Sequence, residues 1–540
     1  MMSNPCRPHP GEDETAGVAP ERAPCGRPRP PARDASIAII GGGFAGICMA
    51  IKLIEAGRHD FVIYEKAADF GGTWRDNTYP GCSCDVPSHL YSLSFAQQSA
   101  WSRRFASQAE ILAYLQDVAR RHGIEKYVRF QTPITAMRWS DERRCWRLST
   151  GDGRHFVARV VISAVGGLHL PAFPEIAGLD SFAGDCFHSA RWRHDVDLSG
   201  KTVTVIGTGA SAAQIVPEIA PKVGRLFVFQ RTPQWVLPRH DRPYSRLERW
   251  AYRRVPGLLG LSRAIHYWRA ESRAMAFTVR PRFMGKPQTR TLRFLERTVP
   301  DPELRRKLWP TYTMGCKRVI LSDTFYPAMN RPNVELVTEP IESISPTDIV
   351  TRDGGRRPVD TIICATGFHP FNPSDAIEIR GRGGRLLAED WKNGPQAFRG
   401  VAVAGYPNYF MLMGPNSGLG HNSILFMIEA QTRYIAACLR WLDDDGCDAV
   451  EVREDAQRRF NETLDRRFDR TVWRRVDFEW QQPCTTWYQH PSGRNTAIWP
   501  SFSAAYWLLM RRADWRHFQP APAWEDEQPA TVPLPGRRAA

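Results

Sequence analysis

Residues 36–65 read SIAIIGGGFAGICMAIKLIEAGRHDFVIYE. Ser36–Ile40 is a short apolar run that predicts a strand, and Ile47, Ala50, Ile51 and Ile54 follow at helical spacing. Phe61–Glu65 predicts the next strand. Between strand and helix stand Gly41, Gly43 and Gly46, the spacing of a dinucleotide-binding turn. The first glycine permits the tight turn, the second lets backbone approach a pyrophosphate, and the third lets helix pack on strand. The helix N-terminus then faces the phosphate charge. Glu65 closes the second strand, where a carboxylate accepts hydrogen bonds from an adenosine ribose.

A second copy follows at 201–231, KTVTVIGTGASAAQIVPEIAPKVGRLFVFQR. Gly207 and Gly209 match the first two glycines, and Ala212 takes the third place. Arg231 stands at the same offset from Gly207 as Glu65 does from Gly41. An acid in that slot suits a bare ribose, and an arginine suits a 2′-phosphate. Thr232 adds a hydroxyl donor. The first site therefore reads as FAD-type and the second as NADPH-type. The predicted fold class is α/β, with two Rossmann-like dinucleotide-binding domains.

The chain has 540 residues, enough for two or three domains with sizeable cores. Its formal net charge is +15, yet no basic stripe interleaved with aromatics points to nucleic acid; the charge suits anionic dinucleotides. No run approaches 18 uninterrupted apolar residues, so no transmembrane span is expected, and a cytoplasmic location fits. The twelve cysteines are scattered, which excludes a structural zinc site and a disulfide framework; no metal is expected.

The predicted organisation is a disordered tail (1–34), the first part of an FAD-binding domain (35–180), a linker (181–199) and an NADP-binding domain (200–365). The FAD-binding domain then resumes (366–520), and a flexible tail follows (521–540). Within the first part, the segment 70–95 is rich in turn residues and aromatics, and 106–122 predicts an amphipathic helix. Residues 128–139, 145–149 and 155–157 predict a small antiparallel sheet, and 159–167 a final core strand. In the second domain, about 240–310 departs from the α/β rhythm and predicts inserted helices, with arginines beside bulky apolar residues. Three roles stay open for them: lining a substrate entrance, touching a membrane surface or partner, or packing. The Gly/Asn-rich turn at 414–423 precedes a helix over 424–439, whose N-terminus suits flavin oxygens. Residues 484–506, with Trp487, Tyr488, Trp499 and Tyr506, serve as core or as a wall of the site.

Several of these residues carry a family pattern. Phe182, Gly184, His188 and Trp192 fit F-x-G-x-x-x-H-x-x-x-W, with Arg193 where Pro or Asp is usual. Gly71, Gly72, Trp74, Tyr79, Pro80, Gly81 and Asp85 fit a second segment, Lys317 and Arg318 a C-K-R segment, and Ala365, Thr366 and Gly367 an A-T-G strand end. From about residue 36 to about 510 the chain resembles the type I Baeyer–Villiger monooxygenases, which use FAD, NADPH and dioxygen. The resemblance implies insertion of an oxygen atom beside the carbonyl of a ketone, through a C4a-peroxyflavin, to give an ester or lactone, and the aromatic content points to an apolar ketone. It makes Arg318 the cation that keeps the peroxide anionic and Asp85 its partner near the flavin. Trp74 joins the FAD contacts, and Lys317 the NADPH contacts. The fingerprint residues become movers of the domains rather than bond-making groups. An N- or S-oxygenating flavin monooxygenase is the alternative, and Trp192, where that group has Tyr, speaks against it. A flavin disulfide reductase lacks its redox cysteine pair here, and a non-enzymatic scaffold would not need Arg318 and Asp85.

Overall fold

The computed structural model describes residues 35–369, 376–444, 447–474 and 486–521. The expected tails, apart from Ala521, lie outside the described residues.

The opening motif folds as its pattern requires. Ala35–Ile40 pairs in parallel with Phe61–Tyr64 and with His155–Ser163. Helix Phe44–Glu55 covers the strands, burying Ile47, Ile51 and Leu53 against Ile37 and Ile39. The sheet runs Glu378–Arg380, Ile134–Ser140, Cys145–Thr150, His155–Ser163, Ala35–Ile40, Phe61–Tyr64, Val128–Arg129, and Tyr409–Met411 also pairs with His155–Ser163. Two strands thus arrive from the far side of the second unit and complete the first. The stretch read as two strands, 155–157 and 159–167, is one continuous strand. Its first half pairs antiparallel with Cys145–Thr150 and its second half parallel with Ala35–Ile40. A strand can change partners midway without a break in its own backbone, so no turn residue marks the change.

The second sheet is fully parallel, in the order Val334–Val337, Arg225–Phe229, Thr202–Ile206, Thr361–Cys364, Asp185–His188. Its strands are near-continuous apolar runs, as parallel strands buried on both faces require. The segment read as a linker, 181–199, contributes its edge strand: Asp185–His188 pairs with Thr361–Cys364. That strand is four residues long, too short to show a period, so its sequence reads as irregular.

Two segments connect the units, one outbound near residue 170 and one returning near 367, and they are tied together. Ala172 N–H donates to Gly367 O at 2.9 Å, His369 N–H to Leu170 O at 2.9 Å, and the Thr366 hydroxyl to Ala172 O at 2.5 Å. The insert consists mainly of helices Arg246–Arg254, Leu258–Ala274 and Gly285–Thr298. Among the described residues no helix is long and apolar enough to cross a membrane.

Candidate active site

The two glycine turns show why side chains are excluded from them. A Cβ on Gly41 would stand 2.7 Å from the Ala164 carbonyl oxygen, and one on Gly207 2.6 Å from that of Ala365. Both residues have positive φ, +112° and +110°. A Cβ on Gly46 would overlap the Gly41 carbonyl oxygen. The middle glycines are different. Gly209 has nothing within 4 Å of a Cβ, and Gly43 has only the Gly72 backbone, at 3.6 Å or beyond. Two turns thus keep open space at the position where backbone must approach a diphosphate. Glu65 is buried and accepts hydrogen bonds from Gly42 N–H at 2.5 Å and Ala67 N–H at 2.8 Å. Its carboxylate is fixed beside the first turn.

The segment 70–85 joins the two units. Gly71 N–H donates to Gly42 O at 3.1 Å, so the Gly71–Gly72 pair packs on the first glycine turn. Trp74 Nε1 donates to the Tyr91 hydroxyl at 3.0 Å. The other end rests on helix Ala212–Ile219 of the second unit. Tyr79 Oη donates to Gln214 Oε1 at 3.2 Å, Gln214 Nε2 to Ser83 O at 3.0 Å, and a Cβ on Gly81 would press on Gln214 O at 2.8 Å. Arg239 clamps the end of the segment through Ser83 Oγ and Cys84 O.

Asp85 follows and meets Arg318, which comes from the second unit. Arg318 Nε donates to Asp85 Oδ2 at 2.9 Å, and Nη2 donates to Oδ1 at 2.8 Å and Oδ2 at 2.7 Å. This fork geometry fixes the plane of the guanidinium. The Asp85 charge pushes the Arg318 pKa further up against the opposing effect of burial. Arg318 therefore stays a cation. Tyr488, which the motifs did not single out, is buried beside it; burial pushes its phenol up to about 12, and the Arg318 charge opposes the rise. Trp235, Phe277, Met314, Trp473 and Ile498 form an apolar cluster with Tyr488. Gly315 lets the Phe277 ring come that close, since a Cβ there would sit 2.6 Å from it. Cys316, next to Lys317, is disulfide-bonded.

Lys317 is half-buried, and its pKa is lowered by burial and by the nearby charge of Arg231. Arg231 is exposed beyond the end of strand Arg225–Phe229, and the neighbouring Thr232 carbonyl accepts from Thr208 Oγ1 at 3.3 Å and Gln234 Nε2 at 3.1 Å. Two like charges held near one another can together accept a dianion.

The fingerprint residues sit at the connection between units. A Cβ on Gly184 would collide with the Asp360 carbonyl oxygen and come within 2.8 Å of the Phe182 ring. His188 is fully buried, sits between Phe173 and Phe368, and pairs in register with Cys364, next to Ala365, Thr366 and Gly367. Burial holds its pKa below the ordinary imidazole value, with the Gly367 backbone opposing. Trp192 packs edge-on against Phe187 at 5.2 Å. Arg193, in place of the usual Pro or Asp, pairs with Asp185 at 2.9 Å.

The loop before helix Ile424–Asp444 carries strained backbone, with positive φ at Met413 (61°) and Asn416 (55°). Asn416 is held by Asn495 O at 2.8 Å, Ile498 O at 3.2 Å and, through its N–H, Thr496 O at 2.7 Å.

The profile of the flavin-binding monooxygenase-like family matches residues 34–273. A Baeyer–Villiger monooxygenase of Pseudomonas aeruginosa is 44% identical over 485 residues, covering 89% of this chain and 91% of the relative. One of Streptomyces coelicolor is 45% identical over 491 residues, covering 90% and 93%. The crystal structure of OTEMO in complex with FAD and NADP superposes with a TM-score of 0.81 at 28% identity, covering 91% of this chain and 100% of that one. Together with the two Rossmann-like units, these matches establish that the chain belongs to the type I Baeyer–Villiger and flavin-binding monooxygenase-like family of flavoprotein monooxygenases.

Proposed function

We propose that the chain holds FAD at Gly41, Gly43, Gly46, Glu65 and Trp74, takes NADPH at Gly207, Gly209, Arg231, Thr232 and Lys317, and inserts one atom of dioxygen beside the carbonyl of an apolar ketone. The cradles fit these groups: each keeps the space that a Cβ would fill, one has a buried carboxylate beside it, and the other has two neighbouring cations. Bound flavin would accept hydride and activate dioxygen, chemistry no side chain offers.

The residues then act separately. Arg318 stabilises negative charge on the oxygen that attacks the carbonyl, and on the tetrahedral adduct that follows. Asp85 holds the guanidinium in one orientation through its two-oxygen contact. The apolar cluster with Phe277 and Trp473 keeps bulk water from the reacting oxygen. Phe182, Gly184, His188 and Trp192 set the junction about which the units turn between receiving hydride and receiving ketone.

The observation that carries the reading is the Asp85–Arg318 pair, whose two halves come from different units and meet at the end of the segment that joins them. The test is an NADPH-dependent assay over cyclic, aromatic and linear ketones, with ester or lactone quantified against NADPH consumed. A tertiary amine and a thioether serve as comparators. Oxidation of those two with no ester from any ketone would replace this reading by N- or S-oxygenation.

A further inference from the structure

Helix Leu258–Ala274 turns a stripe of large apolar side chains outward while several of its polar groups are held against the protein. Several of its polar side chains face the protein: Arg263 donates to the carbonyls of His89, Leu90 and Ser92, Ser262 bonds His89, and Tyr267 bonds Ser503. Glu271, buried, accepts from Asn422 at 2.9 Å, Ser503 at 2.6 Å and Ala504 N–H at 2.9 Å. Leu261, Ile265 and Trp268, one stripe at i, i+4 and i+7, point to solvent, with Leu261 57% and Trp268 63% exposed. An amphipathic helix docked on a folded core ordinarily shows the reverse. The preceding helix adds Leu247 (71% exposed) and Trp250 (57%). Nine of the fourteen exposed large apolar side chains among the described residues fall within 247–283. Concentration of that kind marks a surface that is covered in use.

The charges around the stripe indicate what covers it. Arg246, Arg249, Arg253, Arg254, Arg269, Arg280 and Arg282 are exposed on the same segment. Its two acids are committed elsewhere, Glu248 to Arg242 and Glu271 to the buried cluster. A second copy of the chain would bring arginines against arginines. An apolar stripe with outward tryptophans and an arginine rim suits the headgroup region of an anionic bilayer. We infer that the insert, through this face, docks the protein on a membrane surface of net negative charge, lying in the interface rather than crossing it. The net charge of +15 supplies long-range attraction in the same sense.

The experiment is cosedimentation of the flavin-loaded full-length protein with vesicles of phosphatidylcholine alone and with added phosphatidylglycerol. Binding is expected to the anionic vesicles and to weaken with added salt. Leu261→Ser with Trp268→Ser should abolish it. Arg249→Gln, Arg253→Gln and Arg254→Gln together should weaken it on the order of a hundredfold. All five positions are exposed, so melting temperature and NADPH oxidation should match the parent protein. Absence of binding to either vesicle, or unchanged binding in both variants, would overturn the inference. So would sedimentation velocity showing a dimer that the same substitutions dissociate, which would make a second copy the occupant.

Discussion

At the scale of single residues, the site rests on two arginines with opposite surroundings. Arg318 is gripped by a carboxylate in a fork, whereas Arg231 is exposed and shares its neighbourhood with Lys317. Arg318→Ala should leave NADPH consumption intact and divert it to hydrogen peroxide, with ester formation down by about two to three orders of magnitude, the scale for loss of one stabilising donor. Product and peroxide measured in one reaction check this. Arg231→Ala should cost roughly 1–3 kcal/mol in binding of the phosphorylated nicotinamide and little for the unphosphorylated one. The ratio of kcat/KM for NADPH and NADH would then fall by about five- to 150-fold. The Glu65 and Arg231 slots were legible in the sequence because a strand–turn–helix–strand unit fixes its offsets locally. For 484–506 the sequence left core and site wall both open, because the place of Tyr488 beside Arg318 depends on chain segments about 170 residues apart meeting in space.

At the scale of elements, the short strand Asp185–His188 and helix Leu258–Ala274 are the places where local pattern and structure part company. The strand is too short for a period and gains its identity from pairing with Thr361–Cys364. The helix has amphipathic spacing, but spacing cannot say which face turns inward. Buried hydrogen bonds decided that. Gly184→Ala forces a methyl onto the Asp360 carbonyl and the Phe182 ring, and should destabilise the protein by about 1–3 kcal/mol, seen as a lower melting temperature. Glu271 gives a pH prediction. Burial pushes its pKa up, but His421 3.5 Å away and hydrogen bonds from Ala504, Ser503 and Asn422 outweigh it and hold the pKa at about 2. Because the folded value is depressed, the stabilisation is present in full above the ordinary carboxylate range. It is lost as pH falls from about 4.5 towards 2. Glu271→Gln should melt lower than the parent at neutral pH, by an amount on the order of 3 kcal/mol at most, and the gap should close over that acid window.

At the scale of the whole molecule, the two units meet through the segment 70–85, which touches the first glycine turn at one end and helix Ala212–Ile219 at the other. Occupancy of the second cradle should therefore stabilise the entire chain in one transition. NADP+ at about a hundred times its Kd should add roughly 2.7 kcal/mol, and NAD+ at the same concentration much less. Thermal melts of the flavin-loaded protein with each nucleotide test this; equal shifts would contradict the assignment of the second cradle. The division into two dinucleotide units was readable from 36–65 and 201–231 alone. The return of Glu378–Arg380 and Tyr409–Met411 to the first sheet was not, since short strands at a sheet edge carry no address.

The outbound and returning connections are bonded to one another across Ala172–Gly367 and Leu170–His369. Neither connection can shift without dragging the other or giving up these bonds. A change in the angle between the units therefore loads the outgoing and the returning chain together, and a substitution that breaks either bond would be felt by both.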